Sequence, residues 1–347
     1  MNILVTGGCG FIGRNATERF LSLGHSVAAL DNLSRPGSER NLTQLSAHKR
    51  FSFLRGDLRD ASFVESAIHR GRYDAILHLG GQVAVTTSML DPREDFEINA
   101  RGALNILEAV RTGSPETAVI NASTNKVYGD LGTIAHGEEK LRYTLPGLPD
   151  GVSEEQPLDF HSPYGCSKGA ADQYMMDFAR SFGIRSVTLR QSCIYGRWQF
   201  GIEDQGWVAW FIIAHLARRP ITVFGNGKQV RDVLFVDDLV DLYLAAFDQI
   251  DKVKGQAINV GGGPANTLSL LEFMEMLEQM SGRPVEHTFG EIRPGDQPVF
   301  ISNVQRASSE LGWTPKTSAS EGIRILYDWV EKNSALFKLR SPATSAA

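Results

Sequence analysis

Tyr164 and Lys168, in the stretch Ser162-Pro-Tyr-Gly-Cys-Ser-Lys168, lie four residues apart, one turn of an α-helix, so their side chains share a face. An ammonium one turn from a phenol stabilises the phenolate, which brings a group with an ordinary pKa of about 10 within reach of base catalysis near neutral pH. Pro163 has no N–H to satisfy in a first helical turn and predicts where the helix opens. The run Gly169 to Phe178 continues it with good helix formers. Taken alone the pair is a weak signal, because Tyr and Lys at this spacing recur on ordinary amphipathic helices.

The amino terminus gives the pair a context. Met1-Asn-Ile-Leu-Val-Thr6 reads as a short buried strand, Gly7, Gly10 and Gly13 follow, and an amphipathic run extends from Phe11 to Leu23. In such a strand–helix turn one glycine permits the bend, one lets backbone approach a pyrophosphate, and one lets helix pack on strand. The N–H groups of the helix start then face the phosphates. The spacing is Gly-x-x-Gly-x-x-Gly, one residue wider in its first gap than the usual dinucleotide fingerprint.

A second apolar strand, His25 to Leu30, ends in Asp31, placed to accept bonds from a ribose diol and to repel a 2′-phosphate. NAD is therefore expected over NADP, with Arg35 as the one opposing feature. Asp57, just past the strand Phe51–Leu54, is a further candidate at the adenine edge, and a solvated loop aspartate is an equal reading.

The 347 residues, 42% hydrophobic and 22% charged, suffice for about two domains with a substantial core. A net charge of −5 gives no reason to expect nucleic acid or an anionic membrane as partner. No apolar run approaches a membrane span, and Cys9, Cys166 and Cys193 are an odd set without His partners, so a cytoplasmic enzyme with no metal site is expected.

Strands and helices alternate through the first half, with strands at 73–79, 117–122 and 184–190 and helices at 93–112 and 164–182. This predicts an α/β fold, a doubly wound parallel sheet of the Rossmann type, with ligands at the carboxyl ends of its strands. Residues 1–195 form the expected dinucleotide-binding domain and 196–338 mainly a smaller, mixed C-terminal substrate-binding lobe. A strand at 256–260 returns to the sheet, Gly261–Pro264 is a plain turn, and 339–347 is a frayed tail.

The order of Thr6–Gly13, Asp31–Ser34, Gly56–Leu58, His78–Gln82, Ser123-Thr-Asn-Lys-Val-Tyr-Gly129 and Tyr164-x-x-x-Lys168 resembles the extended short-chain dehydrogenase/reductase family of nucleotide-sugar epimerases and dehydratases, over nearly the whole chain. The longer strings, Leu158–Met175 and Gly225–Leu234 among them, resemble most the branch that inverts C2 of CDP-linked sugars.

The resemblance implies NAD as cofactor, with Tyr164 as base, Lys168 on the nicotinamide ribose lowering the tyrosine pKa, and Thr124 on the reacting hydroxyl. It also implies a cofactor-binding set of Gly7, Gly10, Phe11, Ile12, Gly13, Asp31, Asn32, Asp57, Leu58, Leu79 and Gln82, together with Tyr164 and Lys168. Candidate substrate contacts are Thr86, Ser88, Thr124, Asn125, Gln199, Gln205, Val223, Arg231 and Arg293. The two arginines suit a pyrophosphate, and Arg231 paired only with Asp232 is the plain alternative. A helix-capping cluster explains Thr86, Thr87 and Ser88 as well as a sugar contact does.

The 4,6-dehydratase branch places Asp-Glu after the threonine, where this chain has Asn125-Lys126, a pair unsuited to that acid–base work. Inversion of C4 on a UDP- or dTDP-sugar shares every catalytic residue and stands as the alternative, and a noncatalytic dinucleotide sensor is the reading from another class. Helices 93–112 and 164–182 carry apolar residues at helical spacing, and the family pairs such helices in a homo-oligomer, dimer or tetramer.

Overall fold

Apolar runs of strand length alternate with amphipathic segments, and the computed structural model, which describes residues 1–293, 295–337 and 339, stacks them as strand–helix units. The chain begins β1 (Asn2–Thr6), α1 (Phe11–Ser22), β2 (Ser26–Asp31), α2 (Ser38–Leu45), β3 (Phe51–Arg55), α3 (Ala61–Gly71) and β4 (Ala75–His78). Next come α4 (Val85–Leu90), α5 (Pro92–Phe96), a π-helical turn (Glu97–Arg101) and α6 (Gly102–Gly113). The single helix expected over 93–112 is thus interrupted. Asp91 caps α5 by accepting from the Glu94 N–H at 2.9 Å, and within the π turn Asn99 donates inward to the Gln82 carbonyl and the Ser167 hydroxyl, both at 3.1 Å.

β5 (Ala118–Thr124), the small hairpin β6 (Gly137–Glu138) and β7 (Tyr143–Thr144), α7 (Pro163–Phe182), β8 (Ser186–Gln191) and β9 (Cys193–Tyr195) complete this half. The remainder comprises α8 (Trp207–Leu216), β10 (Ile221–Phe224), β11 (Val230–Phe235), α9 (Val236–Asp248), α10 (Ile250–Val253), β12 (Ala257–Val260), β13 (Thr267–Ser269) and α11 (Leu270–Ser281). After them come β14 (His287–Gly290), β15 (Val299–Phe300), α12 (Gln305–Leu311) and α13 (Ala319–Lys332). Ser269 caps α11 in a full capping box with Glu272, the start that its residue type predicts.

One sheet has the order β12-β8-β5-β4-β1-β2-β3, every neighbouring pair parallel. Its core on one side joins Phe20 of α1 to Leu242 and Tyr243 of α9, and on the other Ile68 of α3, Ile106 of α6 and Met175 of α7. Strand order reverses between β1 and β4, which opens a crevice beyond their carboxyl ends.

β12 pairs with β8 from Ala257↔Thr188 to Val260↔Gln191, so the chain visits the second lobe and returns to cover the sheet edge. That lobe is mixed: β11 runs parallel to β9 and β15 and antiparallel to β13, and β10 pairs parallel with β14. Phe211, Phe273 and Ile323 anchor its own core. Residues 340–347 of the expected tail lie outside the described residues. Among the described residues no helix is long and apolar enough to cross a membrane, and no cluster of His, Cys, Asp or Glu could hold a metal ion.

Candidate active site

A cavity of about 410 Å³ occupies the crevice. Gly7, Gly10, Phe11, Ile12 and Gly13 form one wall, and Asp31, Asn32, Asp57, Leu58 and Leu79 another. Gly7 has a φ of 65°, in the left-handed region, and a Cβ on Gly13 would lie 2.1 Å from the Gly7 carbonyl oxygen. A Cβ on Gly10 would meet only that same oxygen, at 3.2 Å, so the turn stays low and open toward the cavity. Asp31 is buried at the end of β2, where its carboxylate accepts from the Cys9 N–H at 3.0 Å and the Leu33 N–H at 2.8 Å. Burial raises its pKa, and the two N–H bonds offset part of the rise. Asp57 is gripped by the Arg59 guanidinium at 2.8 and 2.9 Å and accepts from Asn32 at 3.0 Å, which hold it well below the usual carboxylate range.

At the other end of the cavity stand Thr124, Tyr164 and Lys168, all buried. Ser162 caps α7 by accepting from the Gly165 N–H at 3.0 Å, and Pro163 opens it, which sets Tyr164 in the first turn. Thr124 is the last residue of β5, and its hydroxyl accepts from the Lys126 N–H at 3.2 Å and donates to the Asn125 side-chain oxygen at 3.3 Å, close enough to the phenol to favour its ionised form. Lys168 Nζ donates to the Ala122 carbonyl at 2.5 Å.

The ionisation differs from the expectation drawn from helical spacing. Burial pushes the Tyr164 phenol up to about 12, Thr124 offsets part of this, and the Asp95 carboxylate adds to it. Burial pulls Lys168 down to about 8 against the opposing carboxylates of Asp172 and Asp95. Desolvation of the phenol dominates, and the Lys168 ammonium, one of whose three N–H groups donates to Ala122, is not among the groups that lower it. The protein alone therefore holds a neutral phenol beside an ammonium at neutral pH.

Gln199 and Gln205 line the cavity; seven other candidates do not. Gln82 donates to the Ala84 carbonyl at 2.7 Å and to Asp95 at 3.0 Å, drawn aside by that buried carboxylate. Ser88 donates to the Val85 carbonyl and accepts from the Tyr164 N–H at 3.2 Å, so it braces the tyrosine backbone. Thr86 Oγ1 is buried without a partner. Asn125 donates to Gln297 at 3.0 Å, and Lys126 donates to the Gly295 carbonyl at 3.2 Å. Val223 is fully buried in the second lobe, because alternate residues of β10 face that core and Phe224 takes the open side. Arg231 pairs with Asp296 at 2.5 Å rather than with Asp232, and Lys126 stands 3.6 Å from the same carboxylate. Arg293 lies 3.8 Å over the Phe224 ring centroid and bonds Asp204 at 2.8 Å.

Reading the sequence missed Trp198, Phe200 and Trp207, which line the cavity with Ile194. The density of aromatic residues around Gln199 was the available signal. It also missed Asp95 and Asp172, the carboxylates that flank Lys168.

The sheet order, the glycine turn and the Thr124-Tyr164-Lys168 group define an NAD-dependent enzyme, and residues 3–261 match the model of the NAD dependent epimerase/dehydratase family, to which this chain belongs. It is 46% identical, over 95% of its length and 99% of the relative's, to a CDP-paratose 2-epimerase of Salmonella typhi. Among solved structures, the Pal protein of Bacillus thuringiensis aligns with a TM-score of 0.85 at 29% identity, over 96% of this chain and 100% of that one. The UDP-glucose 4-epimerase of Thermus thermophilus, solved in complex with NAD, aligns with a TM-score of 0.80 at 32% identity, over 95% and 98% of the two chains. The residues present fit that cofactor: a cradle that a Cβ on Gly13 would fill, a carboxylate at the end of β2, and no acidic side chain along the glycine turn.

Proposed function

We propose that this protein inverts C2 of a nucleotide-diphosphate sugar, CDP-linked and of the paratose/tyvelose type. The observation that carries the reading is the placement of Thr124, Tyr164 and Lys168 at one end of a dinucleotide cavity, in a chain with 46% identity to a 2-epimerase over nearly its full length. When bound, NAD supplies reversible hydride acceptance, which lets C2 pass through a ketone and regain hydrogen on its opposite face.

Tyr164 takes the proton of the C2 hydroxyl and returns it. Thr124 shares that oxygen and fixes its distance from the phenol. Lys168 bonds the nicotinamide ribose and, together with the positive charge of the bound cofactor, brings the phenol back toward neutral pH. Gly7, Gly10, Phe11, Ile12 and Gly13 hold the pyrophosphate, Asp31 and Asn32 the adenosine ribose, and Asp57, Leu58 and Leu79 the adenine side. Gln199 and Gln205 meet the sugar. Arg231 and Lys126 share a single carboxylate, Asp296, which leaves one positive charge in excess and suits the substrate diphosphate; Arg293, paired with Asp204, is a second candidate for it. Asn125 and Lys126 are engaged with Gln297 and Gly295, a further reason against a dehydratase acid–base pair.

Met89, Leu90, Phe96, Tyr174 and Phe182 leave large apolar surface exposed along α4, α5 and α7, which supports a homo-oligomer built on these helices. The free thiols of Cys9, Cys166 and Cys193 support a cytoplasmic setting.

The test is incubation of the purified protein with CDP-, UDP-, dTDP- and GDP-sugars in deuterated water without added reductant, with the inverted carbon located by NMR. Inversion at C2 of a CDP-sugar without deuterium at that carbon is expected. Inversion at C4 of a UDP- or dTDP-sugar selects the alternative, and deuterium at C2 replaces hydride return by enolisation.

A further inference from the structure

The segment that joins β9 to α8 runs between the large sheet and the second lobe, and Trp198 and Phe200 on this crossing line the same cavity as Gly10, Gly13 and Arg35. The crossing is fastened on both sides. On the sheet side, the Arg14 guanidinium of α1 lies 3.7 Å from the Trp198 ring centroid, and Asn15 donates to the Arg197 carbonyl at 2.9 Å. A Cβ on Gly37 would lie 2.4 Å from the Phe200 ring, so Phe200 rests directly on that backbone. On the lobe side, Trp198 packs on Trp329 of α13 with centroids 5.1 Å apart, and Phe200 packs on Phe337 at 5.4 Å.

Two details single out Trp198 and its partner. Trp198 has a φ of 69°, a left-handed conformation that costs a bulky residue free energy and persists only where its surroundings impose it. Arg14 is buried, with Nη2 donating to Gln44 at 3.1 Å, Nη1 engaged by Glu18, and Nε without any partner. An arginine so placed contributes through its flat face, and that face covers the indole.

We propose that Arg14 and Trp198 form a latch that closes residues 197–202 across the dinucleotide, so that NAD stays in place from one turnover to the next. The inference rests on the redox reading above, which needs one cofactor molecule for both halves of the reaction. A cofactor lost between the halves would strand the ketone. Arg14 follows directly on the glycine turn, so the latch joins the element that holds the pyrophosphate to the element that covers it.

The experiment measures release of radiolabelled NAD from the loaded protein into excess unlabelled NAD, for the parent, Trp198→Ala, Trp198→Phe and Arg14→Met. Loss of a desolvated cation–π contact corresponds to about a tenfold faster release in Trp198→Ala and Arg14→Met, with Trp198→Phe in between. Release at the parental rate in both Trp198→Ala and Arg14→Met overturns the latch. Arg14→Met leaves the Trp198–Trp329 packing in place and carries the test alone should Trp198→Ala fail to fold. No sugar enters the measurement, so a failure of the C2 assignment leaves these rates untouched and is separately visible.

Discussion

Arg190 and Asp172 meet fork to fork beside the Thr124-Tyr164-Lys168 group, Nε on Oδ2 at 3.0 Å and Nη2 on Oδ1 at 2.9 Å, with both side chains buried. Ser123, the neighbour of Thr124, donates to the same carboxylate at 2.8 Å, and Arg190 also donates to the Tyr128 hydroxyl at 3.0 Å. The pair thereby ties α7 to β5 and β8 one turn past Lys168. Asp172→Asn leaves Arg190 a buried cation without its counter-charge, and a loss of about 3–5 kcal/mol in unfolding free energy is expected in urea titrations. A loss below about 1 kcal/mol would place the pair among the weak, solvated kind.

Tyr164→Phe removes the hydroxyl proposed to exchange a proton with the substrate while leaving the ring that packs in α7. Turnover should fall by about 10²–10⁴-fold, with the NAD content of the purified protein unchanged. Undiminished turnover would remove Tyr164 from the reaction.

The pH dependence has a defined sign. Lys168, drawn down to about 8, is charged at pH 7 and loses its proton as the pH rises through that value. An ammonium bonded to a ribose hydroxyl helps only while charged, so NAD affinity of the free protein should decline above pH 8. The His78 imidazole, pushed by burial to about 3, adds no step near neutrality. Stability responds oppositely: unfolded lysine titrates near about 10.4, so between the two values the unfolded chain holds more protons and this group makes stability rise with pH. Fluorescence titration with NAD from pH 6 to about 9.5 checks the first statement, and a flat affinity would refute it.

Gly13→Ala sets a methyl group where only 2.1 Å separates it from the Gly7 carbonyl oxygen, backbone that cannot move aside cheaply. NAD binding by calorimetry should be lost or weakened by at least about 100-fold, since strain of several kcal/mol falls on the turn itself. Binding within threefold of the parent, a difference of about 0.7 kcal/mol, would show that the turn does not hold the pyrophosphate.

The expected choice of NAD over NADP rests on Asp31. Asp31→Ser removes the charge that repels a 2′-phosphate and leaves Arg35, which lines the same end of the cavity, free to attract it. The ratio of NADP to NAD affinity should rise by about tenfold or more, as relief of one like-charge contact implies. An unaltered ratio would show that the 2′ position lies elsewhere.

The parts of the site that were legible in the sequence are those fixed by local rules. Tyr164 and Lys168 lie at a helix start marked by Ser162 and Pro163, Thr124 ends a strand, and Gly7, Gly10 and Gly13 shape one turn. Side chains whose partners are distant in the chain were not legible. Gln82 turns toward Asp95 of α5, which Asn99 of the following π turn also bonds; Arg231 finds Asp296 sixty-five residues later; Val223 and Phe224 exchange roles because register decides which faces the core. The expected acidity of Tyr164 failed for a related reason. Spacing on a helix counts neighbouring charge but not the water removed when sheet and lobe close around the phenol.

The return of β12 to the edge of β8 limits how this molecule can be divided. A fragment ending near residue 195 would present the β8 edge bare from Thr188 to Gln191, with unmet amide and carbonyl groups open to any passing strand. The second lobe is therefore not an appendage that can be cut away or exchanged as a cassette. The β8 edge is covered by a strand that comes only after β10 and β11 of that lobe, and the rest of the lobe follows it.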